Sequence, residues 1–217
     1  MNGNLTEIVF ILDRSGSMAG LEDDTIGGFN AMVEKQKKEP GEAVLSAVLF
    51  SNDNTVIYDR TDIRKVEPLT DRQYFVGGST ALLDAIGGAI HHIVGIHRYA
   101  RKEDIPDHTI FVITTDGMEN ASHRYGSDQV KKMIQHEKEK YGWEFIFLAS
   151  NIDAVETARG IGIDADHAVD CLPDMEGSAM TFDAINKAVH NVRCGACLSA
   201  DLSWRKDADD DFKKRRR

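Results

Sequence analysis

Four short, unbroken apolar runs, each bounded by polar residues, constrain this chain most. They are Ile-Val-Phe-Ile-Leu at 8–12, Ala-Val-Leu-Ser-Ala-Val-Leu-Phe at 43–50, Thr-Ile-Phe-Val-Ile-Thr at 109–114 and Glu-Phe-Ile-Phe-Leu-Ala at 144–149. They are rich in β-branched and aromatic residues and do not alternate with polar ones, as expected of strands buried on both faces of a parallel sheet. Residues 55–60, Thr-Val-Ile-Tyr-Asp-Arg, do alternate and follow the second run after only four residues. That pattern predicts an antiparallel hairpin and an edge strand. A sixth strand is expected near 167–171.

Helical spacing fills the intervals. Ile26, Phe29 and Val33 mark a helix over about 21–38, and Leu82, Ile86, Ile90, Ile93 and Ile96 mark one over about 80–101. Val130, Met133, Ile134 and Glu137 mark a third, with Ser127 as its expected N-cap. A short helix is expected after Asp153, and a last one from about Gly177 carries Met180, Ile185, Ala188 and Val192. Strands alternating with helices predict an α/β, doubly wound, Rossmann-like domain with helices on both faces of the sheet. The domain is expected to occupy residues 1–203, with 204–217 as a charged, disordered tail.

Of 217 residues, 41% are hydrophobic and 29% charged, which is ordinary for a globular domain and too apolar for a disordered chain. The net charge of −10 argues against binding nucleic acid through a broad basic face, or adhering to an anionic membrane. The balance is uneven. Residues 205–217 hold seven basic and four acidic side chains, leaving −13 on the body. No apolar run approaches the roughly 18 residues of a membrane span. Met1-Asn2-Gly3-Asn4 has no basic region of a signal peptide, and three cysteines do not make a disulfide scaffold. The expectation is a cytoplasmic monomer with reduced thiols.

Ligands of open α/β sheets bind outside the carboxyl ends of the strands. Three segments fall there: Asp13-Arg-Ser15-Gly-Ser17, Gly77-Gly-Ser-Thr80-Ala-Leu, and Thr114-Thr-Asp116-Gly117. Their polar groups are carboxylates and hydroxyls, hard oxygen donors suited to a hard cation such as Mg²⁺. Residues 13, 15 and 17 are two apart, so an extended turn projects them to one side, and Gly16 lets that turn be tight. The two carboxylates balance a divalent charge.

On these residues the chain resembles the von Willebrand factor type A (VWA) domain, in its intracellular bacterial form, from about Leu5 to Val192. The resemblance rests on Asp13-x-Ser15-x-Ser17 after a buried first strand, Gly-Gly-Ser-Thr80-Ala-Leu-Leu-Asp-Ala opening a helix, and Thr-Asp116-Gly after the fourth strand. It implies sheet order 3-2-1-4-5-6 with an antiparallel edge strand 3. It also implies a complete metal-ion-dependent adhesion site (MIDAS), with Ser15, Ser17 and Thr80 ligating through hydroxyls and Asp13 and Asp116 binding directly or through water. The implied ion is Mg²⁺, with Mn²⁺ or Ca²⁺ as substitutes. An Asp or Glu of a protein partner would complete it, which makes the chain an interaction module and not an enzyme. Given the acidic body, that partner is expected to present its acid within a neutral or basic surround.

Two alternatives remain beside that reading. One is a metal-dependent, haloacid-dehalogenase-like phosphatase with Asp13 as nucleophile, although such enzymes want a second Asp where Ser15 stands. The other is a VWA subunit of an ATPase-driven complex. His190, Cys194 and Cys197 fit one face of the last helix, where free cysteines pack as small hydrophobes. Cys194-Gly-Ala-Cys197, with His190 upstream and Cys171 as a weak fourth ligand, also invites a zinc or redox reading. His91, His92 and His97 read as solvated or half-buried. Glu119, Asn120 and Asn151 read as ordinary loop and turn polarity.

Overall fold

The computed structural model describes residues 5–216. The N-terminal residues 1–4, on which the signal-peptide reading rests, and Arg217 lie outside the described residues. Six strands form one sheet: β1 (Leu5–Asp13), β2 (Glu42–Phe50), β3 (Asn54–Asp62), β4 (His108–Thr115), β5 (Glu144–Ala149) and β6 (Ala168–Asp170). Their order is β3-β2-β1-β4-β5-β6, with β3 antiparallel to β2 and every other pair parallel. The sheet order, the hairpin and the edge strand are as expected.

The unbroken apolar runs are explained by two cores, one on each face. Ile8, Phe10 and Leu12 of β1 point to one, and Val9 and Ile11 to the other. The first core is covered by α1 (Glu22–Gln36) and α5 (Met175–Arg193) through Phe29, Met32, Phe182 and Ile185. The second is covered by α2 (Leu82–Tyr99), α3 (Ser127–Tyr141) and α4 (Ala154–Gly160) through Ile86, Ile90, Val130, Ile134 and Ala158. Each fully buried aliphatic or aromatic side chain contributes about 1.5–3 kcal/mol by leaving water, and the central strands place nearly every residue in one core or the other.

Helix starts are set by local chemistry. Asp153 caps α4 by accepting from the Glu156 N–H at 2.8 Å, and Asp174 caps α5 by accepting from the Gly177 N–H at 2.8 Å. Ser127 is not the cap of α3. Gly126 holds that position, and the Ser127 hydroxyl instead donates to the Gly160 carbonyl at 3.0 Å, tying α3 to α4. Among the described residues, no helix is long and apolar enough to cross a membrane.

The segment after Leu202 corrects the expectation of a disordered tail. Trp204 is 1% exposed in the first core, and α6 (Lys206–Arg215) lies against α5 and β6 with Ala208 buried. Charges that looked like a solvated end are spaced for a helix. Arg205 pairs with Asp209 at 2.8 Å and Asp211 with Arg215 at 2.5 Å, each four residues apart. Lys187 on α5 pairs with Asp207 at 2.5 Å, and Arg215 reaches the α5 cap Asp174 at 2.8 Å, so α6 is fastened to α5 near both of its own ends.

Candidate metal centre

Parallel pairing brings the carboxyl ends of β1 and β4 side by side, with Leu12 opposite Thr114. Asp13 ends β1 and is 0% exposed. Its Oδ1 accepts from the Ser15 N–H at 2.7 Å, its Oδ2 from the Thr115 hydroxyl at 2.6 Å, and its carbonyl from the Tyr74 hydroxyl at 2.5 Å. Asp13 is thereby fixed in position from both neighbouring segments. The Ser15 and Ser17 hydroxyls are 3.0 Å apart, as expected of alternate residues in a tight turn.

Thr80 arrives from a loop stitched to its neighbours through the backbone. The Gly16 N–H donates to the Gly78 carbonyl at 3.0 Å, and the Gly77 N–H to the Arg14 carbonyl at 2.9 Å. Gly78 has φ +81°, and a Cβ there would lie 2.0 Å from the Asn52 side-chain oxygen, so only glycine fits. Gly117 closes the site for a similar reason. A Cβ on it would come within 2.9 Å of the Ser17 hydroxyl and 3.2 Å of the Thr80 hydroxyl. Ser15, Ser17 and Thr80 therefore converge with Asp13 on one spot at the carboxyl end of the sheet.

Asp116 is 3% exposed, and neither of its carboxylate oxygens has a hydrogen-bond partner. Burial pushes its pKa up. The nearby Ser17 hydroxyl opposes the shift without a well-formed bond, and the charge of Asp13 adds to it. Burial likewise raises the Asp13 carboxyl, against the bonds from Thr115 and Ser15. Two buried carboxylates close enough to repel one another, one of them with both oxygens unsatisfied, are costly unless a cation joins them. With three hydroxyls beside them, the donors fit a hard divalent ion held by oxygen.

Residues read as ordinary loop polarity turn out to brace this site. The Glu119 carboxylate accepts from the backbone N–H groups of Leu83, Ala121 and Ser122 at 2.8, 2.9 and 2.7 Å. Asn120 exchanges bonds with Thr80: its side-chain oxygen accepts from the Thr80 N–H at 2.9 Å, and its own N–H donates to the Thr80 carbonyl at 3.0 Å. Asp84 accepts from the N–H groups of His123, Arg124 and Tyr125 at 3.0, 2.9 and 2.9 Å. The signal available was the cluster of short-range acceptors Glu119, Asn120 and Ser122, three to six residues after Asp116. Asn151 is a turn residue, with φ +60°. His91 and His92 are exposed, and His97 is half-buried. His190, Cys194 and Cys197 lie on and just beyond the far end of α5, away from its Asp174 cap.

No family model matches this chain, and no curated protein matches it. Solved structures do. The vWF domain of the type V pili tip protein Mfa5 from Porphyromonas gingivalis matches with a TM-score of 0.63 and 12% identity, covering 85% of this chain and 94% of that one. Proximal thread matrix protein 1 from the mussel byssus, in a form whose MIDAS motif is occupied by zinc, matches with a TM-score of 0.57 and 16% identity over 85% of this chain. The fold is that of a VWA domain. The ArnB paralog VWA2 from Sulfolobus acidocaldarius shares it, with a TM-score of 0.52 and 21% identity over 83% of this chain. This VWA-fold chain spans less than half the length of the mussel and archaeal chains, 46% and 45%.

Proposed function

We propose that the chain is a Mg²⁺-dependent protein-interaction module. Asp13, Ser15, Ser17, Thr80 and Asp116 hold the ion, and an Asp or Glu of a partner protein completes its coordination. The observation that carries this reading is Asp116, a buried carboxylate with both oxygens unpartnered, facing an anionic neighbour and a set of hydroxyls. When bound, the ion supplies a focused positive charge that attracts a carboxylate in a partly desolvated setting. The chain's own part is to fix the donors: Thr115 and Tyr74 hold Asp13, and Asn120 holds Thr80. Mussel and bacterial proteins of this fold, one with zinc in its MIDAS motif, support a binding role. The same site would serve a free adaptor or a subunit docked within an ATPase-driven machine.

A phosphatase reading is disfavoured by the same geometry. Where such an enzyme wants a second carboxylate as acid and base stands Ser15, whose hydroxyl pairs with that of Ser17 at 3.0 Å. The cavity beside the site, lined by Met18, Thr115, Cys171 and Thr181, holds about 50 Å³. Small-molecule sites usually hold roughly 300–1,000 Å³.

Calorimetric titration of the EDTA-stripped full chain with Mg²⁺ should show one site, absent in Asp13→Ala and Asp116→Ala variants that keep the wild-type circular dichroism. An immobilised peptide with one Glu among neutral and basic residues should then retain the protein in Mg²⁺ and release it in EDTA. Retention that is indifferent to EDTA overturns the proposal.

A further inference from the structure

Cys194 and Cys197 do not pack as small hydrophobes. The helix ends at Arg193, and both thiols are exposed beyond it, whereas Cys171 is buried. Cys194 takes the C-cap position, its N–H donating to the His190 and Asn191 carbonyls at 3.0 and 3.1 Å. That cap turns its side chain back along the helix, where His190 Nε2 lies 3.7 Å from Cys194 Sγ. The other ring nitrogen, His190 Nδ1, faces Glu39 Oε2 at 3.0 Å, from the segment that follows α1. Gly195, at φ +74°, reverses the chain, and Cys197 follows two residues later on the same exposed loop.

A carboxylate on Nδ1 favours the tautomer that carries its proton there, which leaves the Nε2 lone pair turned toward sulfur. Nucleophile, base and orienting acid then follow one another through contacts of 3.7 and 3.0 Å, the arrangement that activates a nucleophile. The C-terminus of α5 works the other way, because its partial negative charge opposes an anion. The imidazole, and not the helix, must therefore take the proton.

We propose that Cys194 is a reactive thiol, with His190 as its base and Glu39 as the positioning residue, that exchanges with low-molecular-weight disulfides and is resolved by Cys197. The Cys194 proton passes to His190 Nε2, and the thiolate attacks one sulfur of R–S–S–R. A Cys194–S–S–R bond forms as the S–S bond breaks, and the departing thiolate takes the proton from His190. The Cys197 thiolate then attacks the Cys194 sulfur and displaces the second R–SH. Two protein thiols are oxidised to one disulfide, and one small disulfide is reduced to two thiols.

The test treats the full chain, in EDTA so that the metal centre plays no part, with oxidised glutathione at neutral pH and follows it by peptide mass mapping. Glutathione should add first at Cys194 and then leave as a Cys194–Cys197 disulfide forms. Cys197→Ser should hold the adduct at Cys194. His190→Gln should slow Cys194 labelling by about tenfold, and Glu39→Gln by less. Labelling of the urea-unfolded variants should match wild type, and Cys171, whose thiol burial pushes up to about 12, should stay silent in the native chain. Cys194 labelling no faster than Cys197, or unchanged in His190→Gln, overturns the proposal.

Discussion

Two buried acids on neighbouring central strands meet opposite fates at the two ends of the sheet. Glu7, near the amino end of β1, is 0% exposed, but Arg60 Nε sits 2.8 Å from its Oε1 and His97 Nε2 sits 2.5 Å from its Oε2. Asp116, beyond the carboxyl end of β4, is nearly as buried and has nothing of the kind. A buried carboxylate in a stable fold needs a counter-charge. At one end the chain provides it from β3, as Arg60, with His97 of α2 hydrogen-bonded to the other oxygen. At the other the chain provides a second acid and hydroxyls, so the counter-charge has to come from solution.

Neutralising Glu7 tests this contrast most severely. Glu7→Gln strands Arg60 and His97 without their acid and should cost about 3–5 kcal/mol in urea unfolding, as breaking a buried pair does. Asp116→Asn, unfolded in the same experiment, should cost nothing in EDTA, because it removes a buried charge that had no partner. Equal losses for the two variants would sink the distinction. The next effect is the ion itself. Mg²⁺ at 100 times its Kd should stabilise wild type by about 2.7 kcal/mol and leave Asp116→Asn unmoved, which thermal melts at fixed pH will read.

Much of this is legible in the amino-acid sequence alone. The unbroken runs at 8–12, 109–114 and 144–149 cannot be half-exposed strands, and their burial on both faces follows. The three segments at the carboxyl ends carry their chemistry in plain spacing. What stays hidden depends on distance in sequence. Glu7 reads as the polar residue that bounds the apolar run at 8–12, and its partners lie 53 and 90 residues away. Trp204 is submerged in a run of charges, although the four-residue spacing of Arg205 with Asp209 and Asp211 with Arg215 is itself a helix signal. Cys194 fits the helical face of His190 in spacing, and only the helix end at Arg193 turns it out to solvent.

A third acid, Asp84, stands between the two extremes, because it is held by backbone and not by a cation. Burial pushes its carboxyl up, but the N–H groups of His123, Tyr125 and Arg124 outweigh that and leave its pKa below the usual aspartate value. A carboxyl depressed in the folded state adds stability that is present above its unfolded value, about 3.9, and is lost as pH falls through the lower folded value. Asp84→Asn should therefore cost about 1–3 kcal/mol at pH 7 and progressively less in acid. A pH-independent cost would mean that shape, and not charge, holds the 123–125 segment.

The smallest effect separates bracing from binding. Asn120 touches Thr80 only through the backbone, so Asn120→Ala removes the acceptor for the Thr80 N–H and nothing from the proposed donor set. The stability loss should be about 0.5–1.5 kcal/mol. Mg²⁺ affinity should fall by a larger factor than that loss alone would require, because a hydroxyl that wanders must be re-ordered each time the ion binds. Asn120→Asp, which keeps an acceptor at the same place, should restore most of the affinity in the same titration. If Asn120→Ala lowers stability and leaves Mg²⁺ affinity untouched, the loop after Asp116 is scaffold, and the orphaned acid alone sets the site.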